Sequence, residues 1–163
     1  MGRQIKIKQI DWAYIAGFLD GDGSMMAQFK NRNDTPRGWR ILPGIRFYQD
    51  TRNEKTLFWV KNKIEMGHIY RRKDGMTELR LEGWKQVLVL LENIKPYARF
   101  KKNRVDLLLK IAKLVNDKKV EDLTIKEKDK IADLIWKLKE ANYQSGSKKF
   151  SKSREEIKRI IGI

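Results

Sequence analysis

Asp22 is the residue of this chain whose type and position best suit chemistry. It lies near the end of the stretch 15–23, which reads IAGFLDGDG. Apolar residues at helical spacing precede it and glycines surround it, so the Asp22 carboxylate and the Gly21 carbonyl are predicted to lie where a helix ends. Carboxylate, carbonyl and water oxygens are the ligands that Mg²⁺ prefers. One such pair is a poor metal site by itself, whereas two pairs brought together by a dyad would make a good one.

The composition predicts a nucleic-acid partner. The 163 residues include 37 Lys and Arg against 21 Asp and Glu, which gives a net charge of +16. A surplus of that size favours a polyanion, most often nucleic acid, although a merely soluble basic surface is the alternative. The absence of cysteine excludes disulfides and thiolate metal sites, and the single histidine, His68, cannot form a histidine cluster. With no apolar run near the ~20 residues that span a bilayer and no signal-peptide core, we expect a soluble intracellular protein without a membrane partner.

The segments that must position Asp22 alternate between helical and strand periodicity. A helix with Asp11 as its N-cap is followed from residue 24 by a strand in which apolar residues alternate with polar and basic ones. A second strand carries Arg46 and Tyr48 on one side, with a bend or bulge predicted at Pro43-Gly44. The next segments are predicted as a helix at 53–66, a hairpin at 68–82 and helices at 84–94 and 101–115. A capping box at 124–127 is predicted to open a helix that continues to about 143, and a linker at 145–152 then leads to a short helix capped by Ser153.

This order of elements predicts an α+β fold. Helix, two strands, helix, two strands and further helices favour a four-stranded antiparallel sheet with helices on one face. We expect one domain over residues 1–163, with a core at about 10–115 and a C-terminal helical extension at about 117–163. The other face of the sheet would carry basic and hydrogen-bonding side chains suited to a duplex groove.

The stretch IAGFLDGDG resembles the nine-residue signature of the LAGLIDADG homing endonucleases. The likeness extends to the order of elements up to about residue 115, which is similar to the family's αββαββα core, and to Lys101 beyond Pro96. A single copy of the motif resembles the homodimeric branch of the family. The resemblance implies a DNA endonuclease, a hydrolase of phosphodiester bonds, that makes a site-specific double-strand break in a long pseudo-palindromic target and promotes intron mobility. It also implies Mg²⁺ as cofactor, with Mn²⁺ or Ca²⁺ able to replace it in binding.

The resemblance further implies roles for residues at the end of the motif and beyond it. Asp22 would be catalytic and would ligate the metal together with the carbonyl of Gly21, while Asp20 would support the helix. Gln49 would lie near the scissile phosphate and its waters, and Lys101 would stabilise the phosphate or orient the hydrolytic water.

Other residues are expected to contact macromolecules. A further basic group near the phosphate would be either Arg52 or Lys55. The residues that the resemblance assigns to DNA binding are Ser24, Met26, Gln28, Lys30, Arg32, Arg37, Arg40, Arg46, Tyr48, Tyr70, Arg72 and Arg80. The dimer interface is predicted on the motif helix, where small residues let another backbone approach closely, at Ile15, Ala16, Gly17 and Leu19.

Simpler interpretations stand beside these. Asp22 belongs to an Asp-Gly pair of a kind common in turns, and Lys101 has the alternative of an ordinary solvated lysine. The same fold would also serve an RNA-binding maturase that acts on its host intron RNA, or a DNA-binding module that does not cleave. A bias towards Lys, Arg and Ile favours an organellar (chloroplast or mitochondrial) or archaeal intron as the location of the gene.

Overall fold

The motif forms a helix, α1, which spans Gln9–Asp22. The computed structural model describes residues 7–31, 33–34, 38–116, 118–142 and 152–163. The start of α1 differs from the prediction, because Asp11 lies inside the first turn and Lys8 occupies the N-cap position. The Asp11 carboxylate instead accepts a hydrogen bond from Lys63 Nζ at 3.0 Å, which attaches the start of α1 to the helix that contains Lys63.

The end of α1 depends on glycine at position 23. Gly23 is the C-cap, and its extended backbone leads directly into the first strand. A Cβ atom on Gly23 would lie 2.4 Å from Leu19 Cδ1 and 2.9 Å from the Leu19 carbonyl oxygen, so a side chain there would push the helix and the strand apart. The close approach of the strand to the last turn of α1 therefore requires glycine.

The described residues contain one four-stranded antiparallel sheet in the order β1-β2-β4-β3. Its strands are β1 (Gly23–Asn31), β2 (Trp39–Asp50), β3 (His68–Arg71) and β4 (Met76–Leu81). Gly23 pairs with Phe47, and Phe47 pairs with Leu79, so the odd-numbered residues of neighbouring strands share one face. The predicted α+β fold with a four-stranded antiparallel sheet is confirmed.

The bend predicted at Pro43-Gly44 does not occur. β1 and β2 pair without a break, with Ala27 opposite Pro43 and Met26 opposite Gly44. Proline is tolerated because β4 pairs only with residues 45–50 of β2, so residue 43 has a neighbouring strand on one side alone in the described sheet. The side chains of β2 therefore keep their alternation between the two faces.

Five further helices follow the motif helix in the described residues. They are α2 (Lys55–Ile64), α3 (Trp84–Ile94), α4 (Lys102–Val115), α5 (Ile125–Ala141) and α6 (Arg154–Ile161). Short 3₁₀ turns at Thr51–Asn53 and Val120–Asp122 precede α2 and α5. Both predicted capping boxes form, Thr124 with Glu127 and Ser153 with Glu156. Most of the predicted linker, at residues 145–151, lies outside the described residues.

The buried side chains form one cluster, which covers the odd-numbered face of the sheet. Phe47 and Ile15 belong to it, and it continues through α4 and α5 to Ile157 of α6. We call the opposite face, which carries the even-numbered residues of all four strands, the open face. Most of its side chains are half-buried or exposed, so the sheet has a core on one side and a free surface on the other. Within the described ranges, no helix has both the length and the apolar character needed to cross a bilayer.

Candidate active site

Lys101 closes the C-terminal end of α1. The residue is 6% exposed, and its Nζ donates to the carbonyl oxygens of Leu19 at 2.9 Å and Gly23 at 2.7 Å. A longer contact of 3.4 Å joins Nζ to the carbonyl oxygen of Gly21. Carbonyls in the last turn of a helix lack helical donors, and a positive charge is favoured there. The alternative of an ordinary solvated lysine is therefore wrong, because Lys101 is a buried cap for the residues on both sides of Asp22.

Asp20 makes the reciprocal connection. Its carboxylate accepts hydrogen bonds from three consecutive backbone N–H groups, those of residues 99, 100 and 101, at 2.6, 3.1 and 3.0 Å. These groups belong to the turn that leads into α4, and a negative charge is favoured near the start of a helix. We call Asp20 and Lys101 together the double cap, because Lys101 binds carbonyls at the end of α1 and Asp20 of α1 binds the backbone N–H groups of Lys101 and the two residues before it.

The buried position of Lys101 affects its protonation. Burial lowers the pKa of the Lys101 ammonium below its ordinary value, and the guanidinium of Arg104 lowers this pKa further. The carboxylates of Asp20 and Asp22 act in the opposite direction and favour the charged form. The end of α1 thus combines a desolvated cation with two carboxylates that help to keep it charged.

Asp22 and Gly21 are exposed at the end of α1 and offer hard oxygen donors. Across the described ranges, no three side chains of His, Cys, Asp or Glu lie close enough together to hold a metal ion. One chain therefore provides a carboxylate and a carbonyl rather than a closed cage. Mg²⁺ commonly keeps several waters and shares its remaining positions with substrate phosphates, so this donor set fits Mg²⁺ bound between protein and substrate.

Gln49 lies at the same end of the sheet as Asp22. Phe47 pairs with Gly23, so Gln49, two residues further along β2, lies beside the junction of α1 and β1. Its Oε1 accepts a hydrogen bond from the next backbone N–H at 2.9 Å. The fold thus brings Asp22, Gln49 and Lys101 to one end of the sheet, and their catalytic roles stay predictions.

Of the two basic residues left open, Arg52 is the better placed. Its guanidinium binds the Asp50 carboxylate through Nε at 2.9 Å and Nη2 at 2.8 Å, and these hydrogen bonds hold the pKa of the Asp50 carboxyl at about 2. Lys55, in contrast, lines a hollow together with Tyr14. Eight residues of helix, or about 12 Å, separate Tyr14 from Asp22, so Lys55 lies away from the catalytic end of α1.

The predicted DNA-binding residues that the structure describes lie on the open face or in its hairpin. They are Ser24, Met26, Gln28, Lys30, Arg40, Arg46, Tyr48, Tyr70, Arg72 and Arg80. The other two, Arg32 and Arg37, lie outside the described residues. Lys30 pairs with Arg40, and Arg46 pairs with Arg80. Like charges directly opposite each other destabilise a sheet, so this arrangement favours an anionic partner that offsets the repulsion.

Glu78 is a residue of the open face that sequence reasoning does not identify as functional. It is 2% exposed and is bonded to Arg72 and Arg80. Strand alternation places Glu78 on this face. The sequence around it contains no motif that would indicate a role for this acid in DNA binding. Only the contacts of its carboxylate show that it is connected to Arg72 and Arg80.

The predicted dimer interface is wrong for three of its four residues. Ile15, Ala16 and Leu19 are 0%, 1% and 1% exposed, because they pack into the core of their own chain. Buried side chains are not available to a partner. Gly17, the fourth residue, is exposed.

The exposed side of α1 carries a different set of residues at helical spacing. We call them the outer stripe, and they are Ile10, Tyr14, Gly17 and Gly21. Ile10 is 74% exposed, and a Cβ atom on either glycine would meet nothing within 4 Å in the chain itself. The sequence does not reveal which side is outermost, because α1 has apolar or small residues on both sides and no single apolar stripe.

Replacing Asp20 and Asp22 by asparagine should separate two acids that look alike in sequence. Asp20→Asn is expected to lower the free energy of unfolding by about 2 kcal/mol, because it removes charge-assisted bonds to three backbone N–H groups. Asp22→Asn is expected to change it by less than about 0.5 kcal/mol, because the residue is exposed. Urea denaturation followed by circular dichroism measures both values, and equal losses would contradict this division of roles.

Removing the ammonium of Lys101 should loosen the last turn of α1. Lys101→Met keeps the apolar stem but leaves buried carbonyls without a donor, and we expect a loss of about 1–2 kcal/mol in unfolding free energy. Lys102→Met, one residue further on at an exposed position, is the matched control and should have little effect. Similar urea midpoints for the two variants would show that the cap does not stabilise the helix end.

The chain is similar to known proteins in sequence. A family profile described as LAGLIDADG endonuclease matches residues 15–110. The chain is also 30% identical over 105 residues to the DNA endonuclease I-CvuI of Chlorella vulgaris, an alignment that covers 64% of this chain and 65% of the relative. The chain therefore spans just under two thirds of that relative's length.

Solved structures share the fold. The crystal structure of the homing endonuclease I-CvuI in complex with an I-CreI target, in the presence of Mg, matches with a TM-score of 0.79 and 25% identity over 94% of this chain and 93% of that chain. A structure of I-SmaMI bound to an uncleaved DNA target in the presence of calcium ions matches with a TM-score of 0.68 and 23% identity, over 80% of this chain but 45% of that chain. The second likeness concerns the fold alone.

The profile covers the parts of the chain that form the site. Residues 15–110 include the motif with Asp22, the whole sheet from Gly23 to Leu81, and Lys101 of the double cap. The profile thus matches more than half of the chain. This chain belongs to the LAGLIDADG endonuclease family.

Proposed function

We propose that this protein is a homing endonuclease that, as a homodimer, makes a double-strand break at a specific site in a long pseudo-palindromic DNA target. The observation that carries the proposal is the exposed Asp22 carboxylate at the end of the motif helix, beside a basic sheet face, in a chain of this family. A similar protein supports it, since the structure of I-CvuI was determined with a DNA target.

The open face is the proposed DNA-binding surface. The major groove of B-DNA is about 12 Å wide and admits a two-stranded ribbon, and its base edges bind guanidinium, amide and hydroxyl groups. Arg46 and Gln28 provide such groups, and Ser24 Oγ and Tyr48 Oη form a hydrogen bond of 2.8 Å that orders two hydroxyls on this face. Each good base contact discriminates by about 1–3 kcal/mol, so many contacts together would select a long site and tolerate isolated mismatches.

Asp22 and Gly21 are the proposed ligands of Mg²⁺, with Mn²⁺ or Ca²⁺ able to take its place in binding. When bound, the ion supplies positive charge to the phosphate and lowers the pKa of a water molecule for hydrolysis. We assign Gln49 the orientation of that water through its side-chain amide. Lys101 contributes positive charge and positions the Gly21 carbonyl, because its Nζ is already bonded to backbone oxygens.

The outer stripe of α1 is the proposed dimer interface. Its glycines leave open space in the chain itself, which allows a second helix to approach closely, and Ile10 and Tyr14 provide exposed apolar area beside them. Helices that pack along this stripe bring two copies of Asp22 towards a common dyad. One Asp22 per chain supports the view that two copies are needed for a complete site.

An intron is the proposed location of the gene, in an organellar (chloroplast or mitochondrial) or archaeal genome. Cleavage of the intron-free allele would then promote copying of the intron. The family assignment and the Lys-, Arg- and Ile-rich composition support this part of the proposal. The basic open face also permits binding to host intron RNA, and accelerated splicing of that RNA by the purified protein would identify a maturase role.

Cleavage should require both Asp22 and a divalent metal ion. The wild-type protein with Mg²⁺ is expected to linearise a plasmid that carries its intron-insertion site, whereas EDTA should abolish cleavage. Asp22→Asn should reduce the cleavage rate by about two to three orders of magnitude and leave DNA binding intact, because the residue contributes charge at the reacting phosphate. Asp122→Asn, the same change at an exposed position between α4 and α5, is the control. Cleavage by Asp22→Asn at the wild-type rate would exclude the mechanism.

Filling the outer stripe should prevent assembly without harming the subunit. Gly17→Leu is expected to raise the helix propensity of α1 by about 1 kcal/mol, because a Cβ at this position meets nothing in the chain itself. The same side chain would hold a partner helix away, so sedimentation velocity should show a shift from dimer to monomer together with loss of cleavage. A Gly17→Leu protein that stays dimeric would exclude this interface, and one that unfolds would place Gly17 in the packing of its own chain.

A further inference from the structure

Glu78 is a buried acid on a face that otherwise suits a polyanion. The residue is 2% exposed and lies in the middle of β4, opposite Tyr48 of β2 and Tyr70 of β3. A buried carboxylate is costly unless it is paired, and its negative charge opposes the approach of phosphates. The function proposed for the open face does not by itself account for this side chain.

Two arginines pair with the Glu78 carboxylate. Oε2 accepts a hydrogen bond from Arg80 Nε at 2.6 Å, and Oε1 accepts one from Arg72 Nη1 at 3.2 Å. The Arg80 guanidinium also lies over the Tyr70 ring, 3.7 Å from its centroid, and Asp74 binds Nη2 of Arg72. Because Arg80 is held through Nε, its bond to Glu78 does not involve the two terminal amino groups that form the fork of the guanidinium.

These residues line one concavity on the open face. It has a volume of about 490 Å³, and its lining also includes Arg46 and Lys73. Four lining residues are cationic and two, Asp74 and Glu78, are anionic, so the concavity is positive overall. A hydrogen-bond acceptor of DNA, such as the O6 and N7 atoms of guanine, fits this donor-rich surface.

A guanidinium reads guanine through two parallel hydrogen bonds, which require a defined orientation of its plane. An unrestrained arginine side chain has many rotamers and loses that freedom on binding. A partner that fixes the plane beforehand reduces this loss for the correct base pair and prevents the side chain from turning towards a phosphate instead. Glu78 provides such a partner for two arginines at once.

We infer that Glu78 is a positioning residue for DNA sequence recognition, whose buried carboxylate holds Arg80 with its terminal amino groups free to read a base pair and anchors Arg72, which Asp74 also binds, beside it. The inference rests on the proposed use of the open face for DNA binding. Glu78 would belong to the recognition surface without contacting a base itself. The two arginines then act as a coupled unit, because one carboxylate orients both.

Glu78→Gln tests the inference, because it removes the charge and keeps the shape of the side chain. The arginine side chains left behind are 41% and 21% exposed, so water can reach them and the fold should survive. Wild-type and variant proteins would each be mixed with a library of randomised DNA duplexes without divalent metal ion, and the bound duplexes sequenced. Binding is then measured independently of cleavage.

The expected result is a local loss of selectivity. Base preference should fall by about tenfold in Glu78→Gln at the same base pairs whose preference falls in Arg72→Gln and Arg80→Gln, and should stay unchanged elsewhere. Affinity for random duplex should be equal or higher, because one negative charge is removed. Glu92→Gln, the same change at an exposed position of α3, is the matched control and should leave those base pairs unaffected.

Other outcomes would overturn the inference. A Glu78→Gln profile that equals the wild-type profile, or that is weaker at every position alike, would leave Glu78 with a structural role only. If the variant does not fold, Glu78→Asp keeps the charge but shortens the side chain by one methylene, so the carboxylate no longer reaches both guanidinium groups and preference at the same base pairs should fall; an unchanged profile there would equally reject the coupled unit. Failure of the wild-type protein to select any duplex would instead overturn the proposed function.

Discussion

The double cap is the constraint on which the rest of the structure depends. A helix that stops abruptly exposes carbonyls without donors, and α1 stops at Asp22 because Gly23 turns directly into β1. The ammonium of Lys101 supplies the donors, while the Asp20 carboxylate serves the N–H groups that lead into α4. The two partners are 81 positions apart in the chain, so a local problem at the helix end is solved by a distant segment.

This arrangement explains why two neighbouring acids differ. Asp20 is turned towards the start of α4 and is occupied by backbone donors, whereas Asp22 lies at the exposed end of the helix. The sheet then extends from the same junction, with its odd-numbered side chains in the core and its even-numbered side chains on the open face. A single junction therefore links the proposed catalytic end of the molecule to the proposed recognition surface.

Much of the fold and part of the site could be predicted from the sequence, for reasons that particular residues make clear. Strand alternation placed Arg46 and Arg80 on one face correctly, and both capping boxes form where Thr124 and Ser153 indicate. Periodicity could not orient α1, because residues on both of its sides are apolar or small, and the buried residues Ile15 and Leu19 were therefore misassigned to an interface.

The other features that the sequence does not predict correctly involve contacts between distant segments. Lys101 has no local feature that distinguishes a buried cap from a surface lysine, and its role becomes visible only when its Nζ reaches the carbonyls of α1. Asp11 similarly has the chemistry of an N-cap, but its partner is Lys63 on α2. The sequence predicts a bend or bulge at Pro43-Gly44, and the effect of this proline depends on which neighbouring strands are present at that point of the sheet.

The presence of one Asp22 in each chain has a consequence for how the enzyme would behave in a cell. If each subunit carries half of the oxygen donors, the population of complete sites rises with the square of the subunit concentration while monomers predominate. A few molecules made by leaky expression would then bind DNA weakly and cut it rarely. For the proposed homodimer, activity would appear above a threshold of synthesis, which would protect a host genome from stray breaks without any separate inhibitor.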